Sequence, residues 1–317
     1  MIRKLLVAAL ACVAGTATAQ QYPTKGITLL VPFAPGPTDT VARIMAQAMS
    51  KPIGGSFIVE NRPSNGGILA PELLTKANPD GYTILIHHIG MATTPALYRQ
   101  LRFKPMEDFE YIGLINEVPM TLIGRGNLPP NNFKELLDYI KANKAKISMA
   151  NAGIGAASHL CGMLFQSAIQ TDLLTVPYKG TGPAMNDLLG GHVSMMLDVV
   201  MTSQPHIKSG KIRGIAVTGL NRSAVLPELP TVAESGYPGF EAMVWLGYFG
   251  PAGLPKELAA RLNADAVSVL NSPKMKAVLN EQGWDVVANS QSQFTTRIRD
   301  EIVKWRKVVQ DSGAKAD

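Results

Sequence analysis

The sequence predicts an α/β protein built as two lobes, and three observations carry that reading. Strand-like apolar runs alternate with amphipathic helical patterns along the chain. Two segments far apart, Phe33-Ala-Pro-Gly-Pro-Thr-Asp39 and Ala152-Gly-Ile-Gly-Ala-Ala-Ser-His159, each join an apolar run to a helical pattern. The 317 residues are 46% hydrophobic, enough for cores in two domains of ordinary size. A helix start leaves about four backbone N–H groups without partners and carries roughly half a positive charge, so a loop of small residues there is a cradle for an anion. Two such cradles imply two domains gripping one anionic ligand.

From the N-terminus, Met1-Ile-Arg-Lys4 is a basic start, residues 5–13 form an apolar run too short to span a bilayer, and Ala17-Thr-Ala19 is a small-residue cleavage signal. Residues 1–19 therefore read as a secretory signal peptide, cut after Ala19, which sends the chain to a bacterial periplasm. A lipoprotein signal using Cys12 fits less well, because Ala9-Leu10-Ala11 precedes that cysteine poorly and leaves a very short apolar stretch. Loss of Arg3 and Lys4 lowers the formal net charge from +6 to about +4, a mild positive balance that suits an anionic small molecule. Of the two cysteines only Cys161 then remains, so neither an intramolecular disulfide nor a cysteine metal cluster is expected. Its neighbours Leu160, Met163 and Leu164 point to a buried, inert thiol.

Strand patterns follow at 27–33, 57–59, 83–87, 173–176, 193–197 and 212–217, and helical ones at 41–49, 133–142 and 182–189. Asp39 reads as the cap of the first helix, Asn131 or Asn132 as the cap of the helix at 133, and Ser292 as the start of a helix over 294–309. Parallel strands with helical crossovers place ligands outside the strands' carboxyl ends, where both glycine loops fall. The expected division is a first lobe of residues 20–121 plus 230–317 and a second of 122–229, joined by two crossing segments near 110–125 and 215–230. No internal repeat or low-complexity tract is visible.

Short motifs in a fixed order add a family resemblance. Tyr22-Pro23, Val31-Pro-Phe33 with Pro35-Gly36 and Asp39, and Glu60-Asn-Arg62 with Gly66-Gly67 resemble the opening of a tripartite tricarboxylate transporter substrate-binding protein. Pro79-Asp-Gly-Tyr82, Pro95-Ala-Leu-Tyr98, Val176-Pro-Tyr-Lys-Gly180, Pro205-His-Ile-Lys208, Leu229-Pro-Thr-Val232 and Gly250-Pro-Ala-Gly253 extend the resemblance over essentially the whole mature chain. It implies a periplasmic-binding-protein fold of the second type, two α/β lobes closing like a clamshell on a small-molecule carboxylate. It further implies delivery of that carboxylate to a two-component integral-membrane permease driven by an ion gradient. The chain itself is expected to be a monomer that performs no chemistry and needs no cofactor.

In that family the first loop commonly holds a carboxylate through backbone N–H groups and ordered waters, and Ala34, Gly36, Thr38 and Asp39 match those positions. Here Gly36 runs straight into Pro37, one residue shorter than the family pattern, and Pro37 has no N–H to donate. Asp39 is read as a helix cap ahead of a direct contact, because a carboxylate beside an anion must be offset by donors or water. At the second loop the family often has Ser or Thr where Ala156 stands. The backbone donors of Gly155, Ala156 and Ala157 remain, Ser158 adds a hydroxyl if it turns inward, and His159 reads as a packed or capping residue behind them. For the far end of the ligand, His88 and Thr93 follow one strand, and Asp198 and Thr202 follow another. Neighbours on a strand point to opposite faces, so of His87 and His88 only one readily enters the site, and His88 is the candidate. Met91, Val199 and Met201 suit a flat or apolar ligand body. The favoured ligand is therefore an aromatic or otherwise apolar-bodied dicarboxylate, with a citrate-like tricarboxylate or an acidic amino acid as the alternative. Trp245 and Phe249 read as core, and Arg43 as an ion-pair residue.

A periplasmic enzyme needs a reacting constellation, and none is present: no Gly-x-Ser-x-Gly turn, no His-Glu-x-x-His helix and no paired-histidine spacing beyond His87-His88. Gly153-x-Gly155 lacks the third glycine of a dinucleotide fingerprint, since Ser158 stands there. The run from Lys141 to Lys146 reads as a solvated helix end and not as a nucleic-acid face. A binding protein that loads a sensor in place of a permease is the other reading left open.

Overall fold

The computed structural model describes residues 22–313. The expected signal peptide, residues 1–19, lies outside the described residues. In chain order the main elements are β1 (Ile27–Val31), α1 (Pro37–Ile53), β2 (Phe57–Asn61), α2 (Leu69–Leu74), β3 (Thr83–His88), α3 (Gly90–Leu97) and β4 (Phe109–Arg125). They continue with α4 (Phe133–Asn143), β5 (Ser148–Asn151), α5 (Ala157–Ala168), β6 (Leu174–Pro177), α6 (Thr181–Leu189), β7 (Met195–Val199), α7 (Val200–Lys208) and β8 (Ile212–Val217). The chain then forms β9 (Met243–Pro251), α8 (Lys256–Leu270), α9 (Pro273–Glu281), β10 (Asp285–Val286) and α10 (Gln291–Ser312).

The strands make one hydrogen-bonded network with two sections. The first runs β2-β1-β3-β9-β4, in which β1 pairs parallel with β2 and β3, while β9 is antiparallel to both β3 and β4. The second runs β6-β5-β7-β4-β8, in which β5 pairs parallel with β6 and β7, while β4 is antiparallel to β7 and β8. Each section thus sets three parallel strands beside one antiparallel strand and a further outer strand. The inner parallel strands are mostly buried because helices cover them, with every residue of β1 but Thr28 buried, whereas the outer strands β2 and β6 are half-buried to exposed.

β4 belongs to both sections. Its residues up to Pro119 pair with β9, and those from Met120 pair with β7 and β8. The segment expected as a crossing is therefore continuous strand. Pro119 sits where the ladder changes partners, so its missing N–H interrupts neither set of pairings. The return crossing is tied to the same point by Thr218. Its N–H donates to the Met120 carbonyl at 2.9 Å and its Oγ1 accepts from the Met120 N–H at 2.8 Å. Its Oγ1 also lies 2.6 Å from the Ala242 carbonyl, and the Ala242 N–H donates to its carbonyl at 3.0 Å.

Helix boundaries follow local chemistry. α1 buries Val41, Ala42, Met45, Ala46, Met49 and Ile53, a stripe at helical spacing, and such burial is worth about 1.5–3 kcal/mol for each large side chain. It ends at Gly54 in the left-handed conformation, φ 78°. Pro37 starts it earlier than the expected 41, so the cap position falls to Gly36 and Asp39 lies inside the first turn. Asn132 caps α4 by accepting from the Glu135 N–H at 2.9 Å. α10 is capped by Ser290, not Ser292, in a capping box with Gln293. Trp245 and Phe249 pack on Phe294 of α10 with ring centroids 5.7 and 5.2 Å apart, as core residues. Cys161 is fully buried, and burial pushes its thiol up to about 12, which keeps it unreactive.

Candidate functional site

The carboxyl ends of β1, β5, β6 and β7 surround a cavity of about 890 Å³. Four helices begin at its wall: α1 at Gly36, Pro37 and Thr38; α5 at Ala156, Ala157 and Ser158; α6 at Gly180, Thr181 and Gly182; α7 at Val199, Met201 and Thr202. None of these four starts is capped by a side chain. α4, α9 and α10, which carry side-chain caps, begin away from it. Other helix starts are also uncapped, so it is the convergence that marks the site. Four positive helix ends with unclaimed N–H groups make this space electrostatically suited to an anion.

The first loop is braced from outside the cavity. Asn61 Nδ2 donates to the Phe33 carbonyl at 2.9 Å and to Asp39 Oδ1 at 3.0 Å, and Arg43 Nε donates to Asp39 Oδ2 at 2.9 Å. The Asp39 carboxylate is thus spent on an i,i+4 ion pair and an amide and does not line the cavity. With Pro37 lacking an N–H, the donors that α1 offers are those of Thr38 and Asp39.

The second loop is braced from within. The Ser158 hydroxyl accepts from the Ala152 N–H at 2.8 Å, Asn151 Oδ1 accepts from the Gly153 N–H at 2.9 Å, and His159 Nδ1 accepts from the Gly155 N–H at 3.3 Å. Burial lowers the His159 ring to about 4, so it stays neutral and able to accept. The Gly155 N–H is therefore already engaged, and the Ala156 N–H, also expected as a free donor, is spent on the Gly153 carbonyl at 3.0 Å; Gly155 is not part of the cavity lining, whereas Ala156, Ala157 and Ser158 are. Beside the cavity the two sheet sections touch, since a Cβ added to Gly155 would lie 3.2 Å from Gly66 Cα.

His88 lines the cavity and His87 does not, as alternation along β3 requires. His87 Nδ1 accepts from the His88 N–H at 2.8 Å, and its Nε2 faces the Gly67 carbonyl at 3.2 Å. His88 Nδ1 accepts from the Gly90 N–H at 2.7 Å, and its ring stacks on Phe33 at 4.7 Å. Burial pushes His87 down to about 4 and His88 well below the usual histidine value. A neutral His88 whose Nδ1 is occupied as an acceptor carries its proton on Nε2, a hydrogen-bond donor.

Ala34, Asp198 and Thr202 also line the cavity. Thr93 does not: it is fully buried, with its hydroxyl donating to the Gly90 carbonyl at 3.3 Å. Met91 is likewise in the core, while Val199 and Met201 reach the wall. Several lining residues were not singled out from sequence. Thr181 and Gly182 start a third strand-to-helix turn, and the rule that found the other two loops applies to it equally. Met120 and Val244 lie on strands whose segments read as crossing and loop, and Trp284 follows Gly283 with no motif to mark it.

The profile of the tripartite tricarboxylate transporter family receptor matches residues 41–314. Among solved structures, the periplasmic binding protein BugD is 43% identical and covers 93% of this chain and 99% of its own, with a TM-score of 0.87. Rpa4515 of R. palustris, solved with adipate, is 33% identical over 92% of this chain and 98% of its own, TM-score 0.88. MatC from Rhodopseudomonas palustris, solved with bound malate, is 32% identical over 91% of this chain and 100% of its own, TM-score 0.85. The chain has their α/β fold and a cavity ringed by helix starts, and it belongs to the tripartite tricarboxylate transporter receptor family, the periplasmic solute-binding proteins of the Bug and TctC type.

Proposed function

We propose that this protein captures a small dicarboxylate with an apolar body in the periplasm and delivers it to a two-component membrane permease. One observation carries the proposal: four uncapped helix starts converge on a cavity whose remaining wall is largely apolar, with Phe33, Met120, Met185, Val199, Met201 and Val244. Helix ends recognise a carboxylate, each charge-assisted bond contributing about 1.5–3 kcal/mol before desolvation is subtracted. Apolar side chains favour a carbon chain or ring between the carboxylates over a crowd of hydroxyls. The adipate held by Rpa4515 is a ligand of that kind, and the malate held by MatC is a shorter, hydroxylated dicarboxylate.

In this reading residues 20–121 plus 230–317 and residues 122–229 act as lobes that swing about the Met120–Thr218–Ala242 junction. Ala34, Gly36, Thr38 and Asp39 contribute from one side, and Gly155, Ala156, Ala157 and Ser158 from the other, the latter two directly. His88, Asp198 and Thr202 meet the distal end of the ligand. A ligand touching both lobes stabilises the closed form because it loses half its contacts when they part. Residues 1–19 serve as the export signal, and the mature chain works as a monomer.

The test is a thermal-shift panel on the chain from residue 20 onward, with adipate, terephthalate, malate, citrate and aspartate. Binding to the native state raises Tm, by about 2.7 kcal/mol of stability at a hundredfold excess over Kd. Adipate or terephthalate should give the largest shifts. A larger shift with citrate or aspartate overturns the apolar-body reading, and no shift with any carboxylate overturns the transport reading.

A further inference from the structure

The acid in the cavity wall is Asp198, at the end of β7. It is 2% exposed, and no counter-charge accompanies it: besides burial, it feels hydrogen bonds from Thr202, the Val199 N–H and Thr181. Its register partner on β4 is Thr121. The titratable groups that share the cavity are His88, Tyr178, Lys179 and His206. Tyr178 donates to Asp187 at 2.6 Å, and burial holds His88 neutral.

The hydrogen-bond partners of Asp198 serve it both with and without a proton. The Thr202 hydroxyl lies within reach of two acceptors, Asp198 Oδ2 and the Val199 carbonyl at 3.0 Å, yet it has one hydrogen to give. If Asp198 is ionised, that hydrogen goes to Oδ2, and the Val199 carbonyl keeps the Ser203 hydroxyl, 3.3 Å away, as a donor. If Oδ2 carries a proton, the chain closes: Oδ2–H donates to Thr202 Oγ1, and Thr202 donates to the Val199 carbonyl. The Val199 N–H still donates to Asp198 Oδ1 at 2.9 Å. The Thr202 and Val199 contacts thus serve either state, and the proton removes a carboxylate charge from a position that is 2% exposed with no cation bonded to it.

We propose that Asp198 is the proton carrier of the binding cavity, and that an anionic ligand is captured together with the proton held there. The proposal rests on the reading that the cavity takes a dicarboxylate. An ionised Asp198 faces such a ligand as a further negative charge at a position that is itself 2% exposed, while a protonated one is a neutral, hydrogen-bonded wall. Burial already moves the Asp198 carboxyl up to about 7, so the proton is half in place near neutrality, and a bound dianion moves it higher. The sign follows. Well below that value Asp198 holds its proton with or without ligand, and affinity is flat. Above it, capture requires uptake of a proton, and affinity falls by up to about tenfold per pH unit until the carboxyl ionises in the complex as well.

The experiment is calorimetric titration of the mature protein with adipate at pH 6.5 and pH 8.5, in buffers of different ionisation enthalpy. Affinity should fall at least about tenfold between the two, with close to one proton taken up per ligand at the higher pH. Asp198→Asn, whose amide donates to Thr202 as the protonated acid does, should lose the step and the proton uptake. Equal affinity at both pH values with no proton uptake overturns the proposal and leaves the dicarboxylate reading standing. A step that persists in Asp198→Asn also overturns it, assigning the proton to another group. No binding of adipate, malate or terephthalate at either pH overturns the dicarboxylate reading, and the linkage falls with it.

Discussion

The loops after β1 and β5 both present a bare helix start to the cavity, and they are built in opposite ways. The first is stiffened by Pro32, Pro35 and Pro37 and braced by Asn61 from β2. Its glycine makes no turn: Gly36 has φ 174°, an extended conformation open to any residue, and an added Cβ would rest 3.7 Å from the Ala34 carbonyl. The second loop is braced by Asn151, Ser158 and His159, and its glycines are conformationally required, with φ 120° at Gly153 and 83° at Gly155. A helix end left uncapped for a ligand gives its loop no cap to hold it. One loop replaces that support with proline and an external amide, the other with side chains from its own neighbourhood.

Breaking the second loop should have the largest effect. Gly155→Val forces a β-branched residue to φ 83° and drives a Cβ to within 3.2 Å of Gly66 Cα on the other sheet section. Backbone strain of that kind costs about 1–3 kcal/mol, so carboxylate affinity measured by calorimetry should fall about tenfold to a hundredfold. Gly36→Ala should change it less than about threefold. Equal losses at the two positions erase the distinction between the loops.

Acid should come next, and it acts on the second loop through His159. Because burial lowers this ring from about 6.5 to about 4, its contribution to stability is complete above pH 6.5 and is lost as pH falls from there through 4. Thermal melts across that window should show a loss of at most about 3 kcal/mol from this group, and His87, also lowered to about 4, should add its own share. His159→Gln should flatten part of the slope; a profile identical to that of the unmodified protein removes His159 from the account.

The smallest effects are expected from the polar braces. Ser158→Ala leaves the Ala152 N–H without its acceptor and should cost about 1–3 kcal/mol in urea unfolding. Asn61→Ala frees the Phe33 carbonyl but leaves the Asp39–Arg43 pair intact, so about 1 kcal/mol is expected. The reverse order would place the more demanding bracing on the proline loop.

What could be read from sequence was whatever follows from local pattern. Alternation of strands and helices located both loops at strand ends, period-two geometry picked His88 over His87, and the place of Arg43 one turn into the first helix marked it as an ion-pair residue, whose partner the structure shows to be Asp39. Misreadings came from places where tertiary context overrides pattern. The stretch expected as a crossing near 110–125 does pass between the sheet sections, but no strand was read there, and only the change of partners beside Pro119 allows β4 to run through it. Glycine and proline around Gly250–Gly253 hide β9, whose Gly247 is small because Phe294 lies against it. Thr93 and Met91 follow a strand end, as ligand contacts should, but α3 turns them into the core.

The place of β9 between β3 and β4 bears on the order in which the molecule can assemble. The second section draws all its strands from one stretch of chain ending with β8 at Val217, so its sheet can close once that residue is made. The first section stays divided until the chain has reached Pro251, because β3 and β4 have no ladder to each other without the late strand. Closing a longer loop costs more chain entropy, which gives the middle of the chain the shorter route to its native pairings. The half of the molecule that comes first in the sequence is thus the half whose sheet is completed last.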